Sequence, residues 1–169
     1  MLPRLSLVLG GTAPGKSAFA ENLTGLTFRP RHRIATAQAF DEEMRAKRAA
    51  HRVQRGHGQR TREAPLDLAP SLLPPLRRML SCRMLWLDNH MLAKHDLAPD
   101  KNALMSAGGP CAAQVLVSNK VGLSVVPDTT RARRFQNAQR ALNQRLAAGA
   151  GLVVKVIAGL PQVLRGIVP

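Results

Sequence analysis

Aromatic side chains are almost absent from this 169-residue chain. They make up 3% of it, with no Tyr, one Trp (Trp86) and four Phe scattered along the sequence. Proteins that bind single-stranded nucleic acid by stacking present a set of aromatic side chains, and this chain does not supply one. Apolar residues nevertheless reach 45%, which is typical of a globular domain. A core must therefore be built from Leu, Val, Ala and Met.

Long apolar runs and paired cysteines are also missing. No run approaches the roughly 18 residues that a membrane span requires, and the N-terminus leads directly into a short apolar segment, unlike a signal peptide. The two cysteines, Cys82 and Cys111, have no metal-binding or redox spacing. We therefore expect reduced thiols in a cytoplasmic protein. The length favours one domain over residues 1–169.

Acidic residues are scarce: there are 10 Asp and Glu against 25 Lys and Arg, giving a net charge of +15. Ten of the basic residues lie between Arg29 and Arg62, where the acidic ones are Asp41, Glu42 and Glu43. Such a patch could attract nucleic acid, a nucleoside triphosphate or a phosphorylated substrate. It is equally consistent with an Arg-rich surface that binds nothing, so charge alone does not decide the function.

The stretch from Gly10 to Ser17 carries the clearest functional signal. It reads GGTAPGKS after the apolar run LSLVL, and so fits the phosphate-binding loop G-x-x-x-x-G-K-[ST] between a strand and a helix. Glycines let backbone N–H groups close around phosphate oxygens, toward which the helix directs its positive end. Lys16 would reach the β- and γ-phosphates, and the Ser17 hydroxyl would bind Mg²⁺. The alternative is a Gly-rich turn with an incidental lysine; the flanking segments favour a nucleotide-binding loop.

Alternating strand and helix patterns follow this loop. Together they predict a three-layer α/β domain with a mostly parallel sheet, a P-loop NTPase-like fold of the RecA-like kind. The predicted elements are a strand ending near residue 9, a helix over 16–23, a strand over 32–37, a helix from Asp41 to about Arg55, loop and short helix over 62–75, a weak strand over 76–82, a helix over 84–95, a strand over 113–118, a helix capped by Asp128 and running to about Ala148, and a last strand over 152–157.

Further segments, in order and spacing, resemble one known family from end to end. Besides the loop, they are Ile34–Gln38, Phe40–Arg45, His51-Arg52, Arg60–Leu68, Met84–Leu87 with Asn89, Val117–Gly122, Val126–Asp128, Ala132–Phe135 and Leu142–Gln144. The sequence is similar to the bifunctional adenosylcobinamide kinase/adenosylcobinamide-phosphate guanylyltransferase family of cobalamin biosynthesis. The resemblance implies transfer of a γ-phosphate from ATP or GTP to adenosylcobinamide. It also implies transfer of GMP from GTP, through a guanylyl-histidine, to adenosylcobinamide phosphate. A homotrimer is expected, with no nucleic-acid partner.

The resemblance also assigns residues. His51 matches the histidine that receives GMP, and Lys16 is the second catalytic residue. Without the family pattern, His51 would be read as a solvated surface residue and Glu63 as a carboxylate paired with a nearby arginine. The residues expected to bind nucleotide are Gly10, Gly11, Thr12, Ala13, Pro14, Gly15, Lys16, Ser17, Thr36, Ala37, Gln38, Arg52, Val53, Gln54, Arg55, Glu63 and Ser81.

Several residues depart from the family pattern. Ser81 stands where the family has Asp or Glu at the end of a strand near the metal, and Lys120 stands where it usually has Glu. Pro14 removes one backbone donor from the loop. These changes leave open a diverged member with one or both activities impaired. A third reading, a small-molecule kinase or nucleic-acid-binding ATPase outside the family, is disfavoured because the match extends far beyond the loop.

Overall fold

The computed structural model describes residues 1–11, 15–25, 31–36, 59–64, 66, 78–81, 87, 89–90, 113–121 and 127–169. The helix expected over 41–55 lies outside these residues, as does most of the one expected over 84–95, of which 87, 89 and 90 are helical. The bounded elements are β1 (Leu5–Gly10), α1 (Lys16–Gly25), β2 (Arg31–Ala35), β3 (Gln59–Glu63), β4 (Arg78–Ser81), β5 (Gln114–Asn119), α2 (Thr130–Gly149), β6 (Leu152–Ile157) and β7 (Leu160–Arg165).

The strands form one seven-stranded sheet in the order β3-β2-β4-β5-β1-β6-β7. Every pairing is parallel except that of β6 with β7. β1 lies between β5 and β6, with Gly10 opposite Asn119 on one side and Val156 on the other. The carboxyl ends of the parallel strands therefore meet at one edge of the sheet, directly around the start of the predicted phosphate loop.

Two apolar clusters cover opposite faces of the sheet. Because successive strand residues point to opposite faces, Leu7 belongs to the cluster that contains Leu142 and Leu146 of α2. Val8 belongs to the cluster that contains Ala20 and Leu23 of α1. The two helices thus lie on opposite sides of the sheet, which confirms the predicted three-layer α/β architecture.

Helix α2 follows its predicted two-sided pattern. Leu142 and Leu146 are buried, and Phe135 and Ala138 pack against the same cluster, while the arginines on the other side are exposed. The expected cap is wrong by one residue. Thr129, not Asp128, is the N-cap, and its hydroxyl accepts a hydrogen bond from the Ala132 N–H at 3.2 Å. Both residue types are good caps, so the sequence did not separate the two positions.

Two strands were not predicted from the sequence. β3 occupies Gln59–Glu63, overlapping the segment expected to be loop; its residues are all polar, so it lacks the alternation that identifies a half-buried strand. β6 is not the last strand either, because β7 follows it as an antiparallel, wholly exposed edge strand. Pro161 is compatible with this position, because proline is tolerated on an edge strand.

One basic residue of the Arg29–Arg62 run is buried rather than on the surface. Arg33 of β2 is almost fully buried, and its guanidinium donates to the Glu21 carboxylate of α1 at 2.7 Å. A buried charge needs such a partner, and the pair links β2 to α1. Its positive charge is therefore compensated within the fold and adds little to any attraction for phosphate.

Candidate phosphate-binding site

The predicted phosphate loop connects β1, an interior strand of the sheet, to the first helix. β1 ends at Gly10 and α1 begins at Lys16, as the motif predicted; Thr12, Ala13 and Pro14 lie outside the described residues. The first backbone N–H groups of a helix have no partner within it, and together with the helix dipole they attract anions. The loop therefore opens onto a helix N-terminus suited to phosphate.

Lys16 lies across the loop. Its side chain is largely buried, with 8% of the residue exposed, and its ammonium group donates to the carbonyl oxygen of Gly11. A Cβ placed on Gly10 would lie 3.0 Å from Lys16 Cδ, so the aliphatic stem runs directly over Gly10. The ammonium group is thereby held beside the Gly11 carbonyl at the start of the loop, where it can contact phosphate oxygens.

Two glycines of the loop are required by their surroundings. A Cβ on Gly10 would lie 2.6 Å from the carbonyl oxygen of Val156. Gly15 has φ 124°, and a Cβ there would lie 2.9 Å from the Cα of Gly159. Only glycine adopts that backbone conformation and permits that approach. The loop is thus packed tightly against the end of β6 and the turn after it.

We expect Gly15→Ala to weaken GTP binding by about tenfold or more, because a strained backbone position costs of order 1–3 kcal/mol and the added methyl group must displace the Gly159 backbone. Titration calorimetry measures the change. The control is Gly149→Ala, the same substitution at the exposed last residue of α2, which should leave GTP affinity unchanged. Equal affinity for GTP in the Gly15 variant and the wild type would contradict the tight packing of the loop.

The end of β5 is fixed beside the loop by hydrogen bonds. The Lys120 N–H donates to the Gly10 carbonyl at 2.8 Å. Below it, Gln139 of α2 donates to the Ser118 hydroxyl at 2.9 Å and to the Asn143 side-chain oxygen at 3.0 Å. Asn143 in turn donates to the Asn119 carbonyl at 3.1 Å. This polar network joins α2 to the strand that flanks the loop and holds the Lys120 backbone in place.

Ser81 ends a strand that is not the immediate neighbour of β1. β4 is separated from β1 by β5, so Ser81 is two strand spacings, about 10 Å, from β1. The strand beside β1 ends with Asn119 and is followed by Lys120. Of the two departures from the family pattern, Lys120 is therefore the one placed next to the loop.

Thr36 and Glu63 lie farther along the same edge. Thr36 directly follows β2, which is three strands, or about 14 Å, from β1. Glu63 is the last residue of β3, which is four strands, or about 19 Å, from β1. Thr36 is fully buried and its carbonyl accepts a hydrogen bond from Asn89 at 2.8 Å, whereas Glu63 is exposed. The described candidates thus form two groups, one at the loop and one at the β2–β3 end of the sheet.

The remaining candidates lie outside the described residues. They are Ala37, Gln38, His51, Arg52, Val53, Gln54 and Arg55. Sequence reasoning also missed one part of the site, the turn at Ala158-Gly159, which packs on Gly15. A glycine soon after an apolar strand is a signal for a hairpin turn, and it could have indicated β7.

Comparison with known proteins decides the family. Residues 6–164 match the sequence profile of the cobinamide kinase / cobinamide phosphate guanyltransferase family. The chain belongs to this family. It is similar to the bifunctional adenosylcobalamin biosynthesis protein CobP of Pseudomonas aeruginosa, with 37% identity over 167 residues, or 95% of this chain and 96% of the relative. The CobU protein of the same description from Salmonella typhimurium is 34% identical over 174 residues, or 91% and 96%.

Membership in the cobinamide kinase / cobinamide phosphate guanyltransferase family agrees with the observed architecture. The matched region begins within β1 and ends within β7, so it includes the loop and every strand of the sheet. The predicted P-loop NTPase-like fold with a mostly parallel sheet is confirmed. Among the described helices of this family member, none combines the length and apolar character that crossing a bilayer demands.

Proposed function

We propose that the protein phosphorylates adenosylcobinamide with ATP or GTP and then transfers GMP from GTP, through a guanylyl-histidine, to give adenosyl-GDP-cobinamide. The observation that carries the proposal is the loop geometry: Lys16 lies across a strand–loop–helix junction in a chain that matches the family over residues 6–164. The relatives named above are described as bifunctional adenosylcobalamin biosynthesis proteins. The substrates of the two proposed reactions are adenosylcobinamide, its phosphate, GTP and ATP.

In the first reaction the loop holds the triphosphate. The N–H groups at the start of α1 bind phosphate oxygens, and the Lys16 ammonium neutralises charge that develops on the transferred group. The substrate hydroxyl attacks the γ-phosphorus, the bond to the bridging oxygen breaks, and the nucleoside diphosphate leaves. Loop and lysine therefore act by positioning and electrostatic stabilisation, which is how phosphoryl transfer is generally catalysed.

Mg²⁺ fits the residues at the start of α1. Ser17 lies in the first turn, partly exposed and next to the largely buried Lys16, and a hydroxyl oxygen is a suitable ligand for this hard cation. Within the part of the chain that the structure describes, no three His, Cys, Asp or Glu side chains converge. Mg²⁺ commonly binds through few protein ligands together with substrate phosphates and water. When bound, it would neutralise charge on the phosphates.

In the second reaction His51 is the nucleophile. A neutral imidazole nitrogen attacks the α-phosphorus of GTP, a phosphorus–nitrogen bond forms, and pyrophosphate leaves. The phosphate oxygen of adenosylcobinamide phosphate then attacks the same phosphorus, and the bond to histidine breaks. Imidazole suits this role because it is nucleophilic near neutral pH and also a good leaving group. We assign Thr36–Gln38, Arg52–Arg55 and Glu63 to guanine-nucleotide binding for this step.

Incubation with Mg²⁺ and GTP labelled at the α-phosphorus tests this function. Label that stays on the protein, is lost in acid and survives base is the signature of a guanylyl-histidine. Label supplied at the γ-phosphorus should instead appear in adenosylcobinamide phosphate. If neither label is transferred, the proposed function is wrong. We further propose that the protein is cytoplasmic and forms a homotrimer. Sedimentation in solution would test the trimer.

A specific observation favours impaired turnover as the second candidate function. Ser81 brings no carboxylate to the end of β4, and Lys120 adds a positive charge next to Gly10. A carboxylate that supports the metal stabilises the phosphoryl oxygens through it. The protein would then bind nucleotide while catalysing one or both transfers slowly.

We predict that Ser81→Asp combined with Lys120→Glu raises kinase turnover by at least about tenfold, or 1.4 kcal/mol of barrier. Steady-state assays of γ-phosphate transfer measure the change, and each single variant separates the two contributions. Lys120→Glu should weaken nucleotide binding on its own, because it removes a cation beside the loop. An ordinary wild-type turnover of about 1–10 per second, with no gain in the double variant, would rule out impairment.

A further inference from the structure

The turn between β6 and β7 is in direct contact with the phosphate loop. A Cβ on Gly15 would lie 2.9 Å from the Cα and 3.4 Å from the nitrogen of Gly159, so no side chain separates the two backbones. Ala158 and Gly159 have φ 49° and 81°, the conformation of a tight two-residue hairpin turn. The position of this turn relative to the loop is therefore determined by backbone geometry.

Two large apolar side chains flank the turn and are exposed. Ile157 is 52% exposed and Leu160 is 73% exposed, and the two residues are directly paired across the hairpin. Paired residues of antiparallel strands point to the same face, with Cβ atoms about 5 Å apart. They therefore form one continuous apolar surface at the sheet edge where the phosphate loop begins. Ala158 and Gly159 between them add no charge, and the next pair on the same face is Lys155 and Gln162.

The place of the turn along the loop indicates what it would contact. In a phosphate loop, backbone N–H groups cradle the α- and β-phosphates, while the lysine reaches the β- and γ-phosphates. The nucleoside continues from the α-phosphate. Ser81 and Lys120, the two positions discussed above for metal support and charge at the transferred phosphate, both lie on the β5 side of β1. The turn lies on the opposite side, after β6, so it adjoins the nucleoside side of the loop rather than the side of the transferred phosphate.

We propose that Ile157 and Leu160 form an apolar wall against which the base of the loop-bound nucleotide packs. The inference rests on the proposed function, since it takes the loop as the nucleotide site. Apolar contact with a planar ring does not distinguish the hydrogen-bonding edges of adenine and guanine. The wall therefore contributes affinity for both ATP and GTP, and discrimination between them has to come from other groups.

The test compares nucleotides with inorganic tripolyphosphate, which carries the phosphates without a nucleoside. The variant is Ile157→Ala combined with Leu160→Ala. Its matched control is Val163→Ala combined with Leu164→Ala, which removes exposed apolar side chains from the same strand away from the turn. Dissociation constants for GTP and ATP come from titration, and the inhibition constant of tripolyphosphate comes from competition. We expect about five- to tenfold weaker binding of both nucleotides, an unchanged constant for tripolyphosphate, and no change in the control.

Three results would contradict the proposed apolar wall. Equal losses for nucleotide and tripolyphosphate would mean that the turn acts on the shape of the loop. Unchanged dissociation constants for GTP and ATP would show that the base does not pack against this surface. Unchanged nucleotide binding together with a lower molar mass in solution would show that Ile157 and Leu160 instead form a contact between copies of the chain. Failure of the proposed function is recognised separately, because GTP binding would then be insensitive to Lys16→Met as well.

Discussion

Lys16→Met is expected to reduce nucleotide affinity by about one to two orders of magnitude and to abolish both transfers. A hydrogen bond to a charged group contributes about 1.5–3 kcal/mol to binding, and a preorganised donor contributes more in the transition state. Methionine keeps most of the aliphatic stem that lies over Gly10 while removing the ammonium group. Titration calorimetry with GTP and assays of both transfers measure the effect.

The control for this prediction is Arg140→Met, which removes one positive charge from the exposed side of α2. It should change nucleotide affinity little, because exposed charges are screened by salt over about 8–10 Å. If Lys16→Met bound GTP as tightly as the wild type, the loop would not be the nucleotide site. A comparable loss in both variants would instead attribute the effect to overall charge.

His51→Asn is expected to eliminate covalent labelling by GTP while leaving γ-phosphate transfer in place. Asparagine has no nucleophilic nitrogen, so no phosphorus–nitrogen bond can form, whereas the kinase step does not pass through the covalent intermediate. Labelled protein separated in denaturing conditions gives the first result, and formation of adenosylcobinamide phosphate gives the second. Loss of both activities would indicate that the substitution disturbs the shared nucleotide site.

The matched controls are the other histidines, substituted in the same way. His57→Asn changes a residue six positions along the chain, and His90→Asn changes a buried residue whose Nε2 lies 3.0 Å from the Leu66 carbonyl oxygen. Both variants should keep the covalent label, although His90→Asn should lower the melting temperature. Retention of label in His51→Asn together with its loss in another histidine variant would move the nucleophile to that residue.

Local sequence patterns were sufficient for the elements that bury alternating or helical apolar faces. β1, β5 and β6 are mostly apolar segments buried on both faces, and α2 places apolar residues at helical spacing. The weak run near residue 80 also forms a strand, β4. β3 and β7 were missed because an edge strand needs little apolar alternation: its stability comes from hydrogen bonds to one neighbour, which leave no signature in its own sequence.

The sequence by itself predicted the phosphate loop and determined the α/β class and the family. These depend on short-range chemistry: glycines for backbone conformation, a lysine at fixed spacing, and an apolar strand before a helix. Only the tertiary structure decided which strands adjoin the loop. Strand order follows from crossovers between distant segments. It places β5 and Lys120 beside β1 and puts Ser81 one strand farther away, at the end of β4. It also separates Thr36 and Glu63 from the loop. It likewise brought Gly159 against Gly15, a contact between residues 144 positions apart that no local pattern can encode.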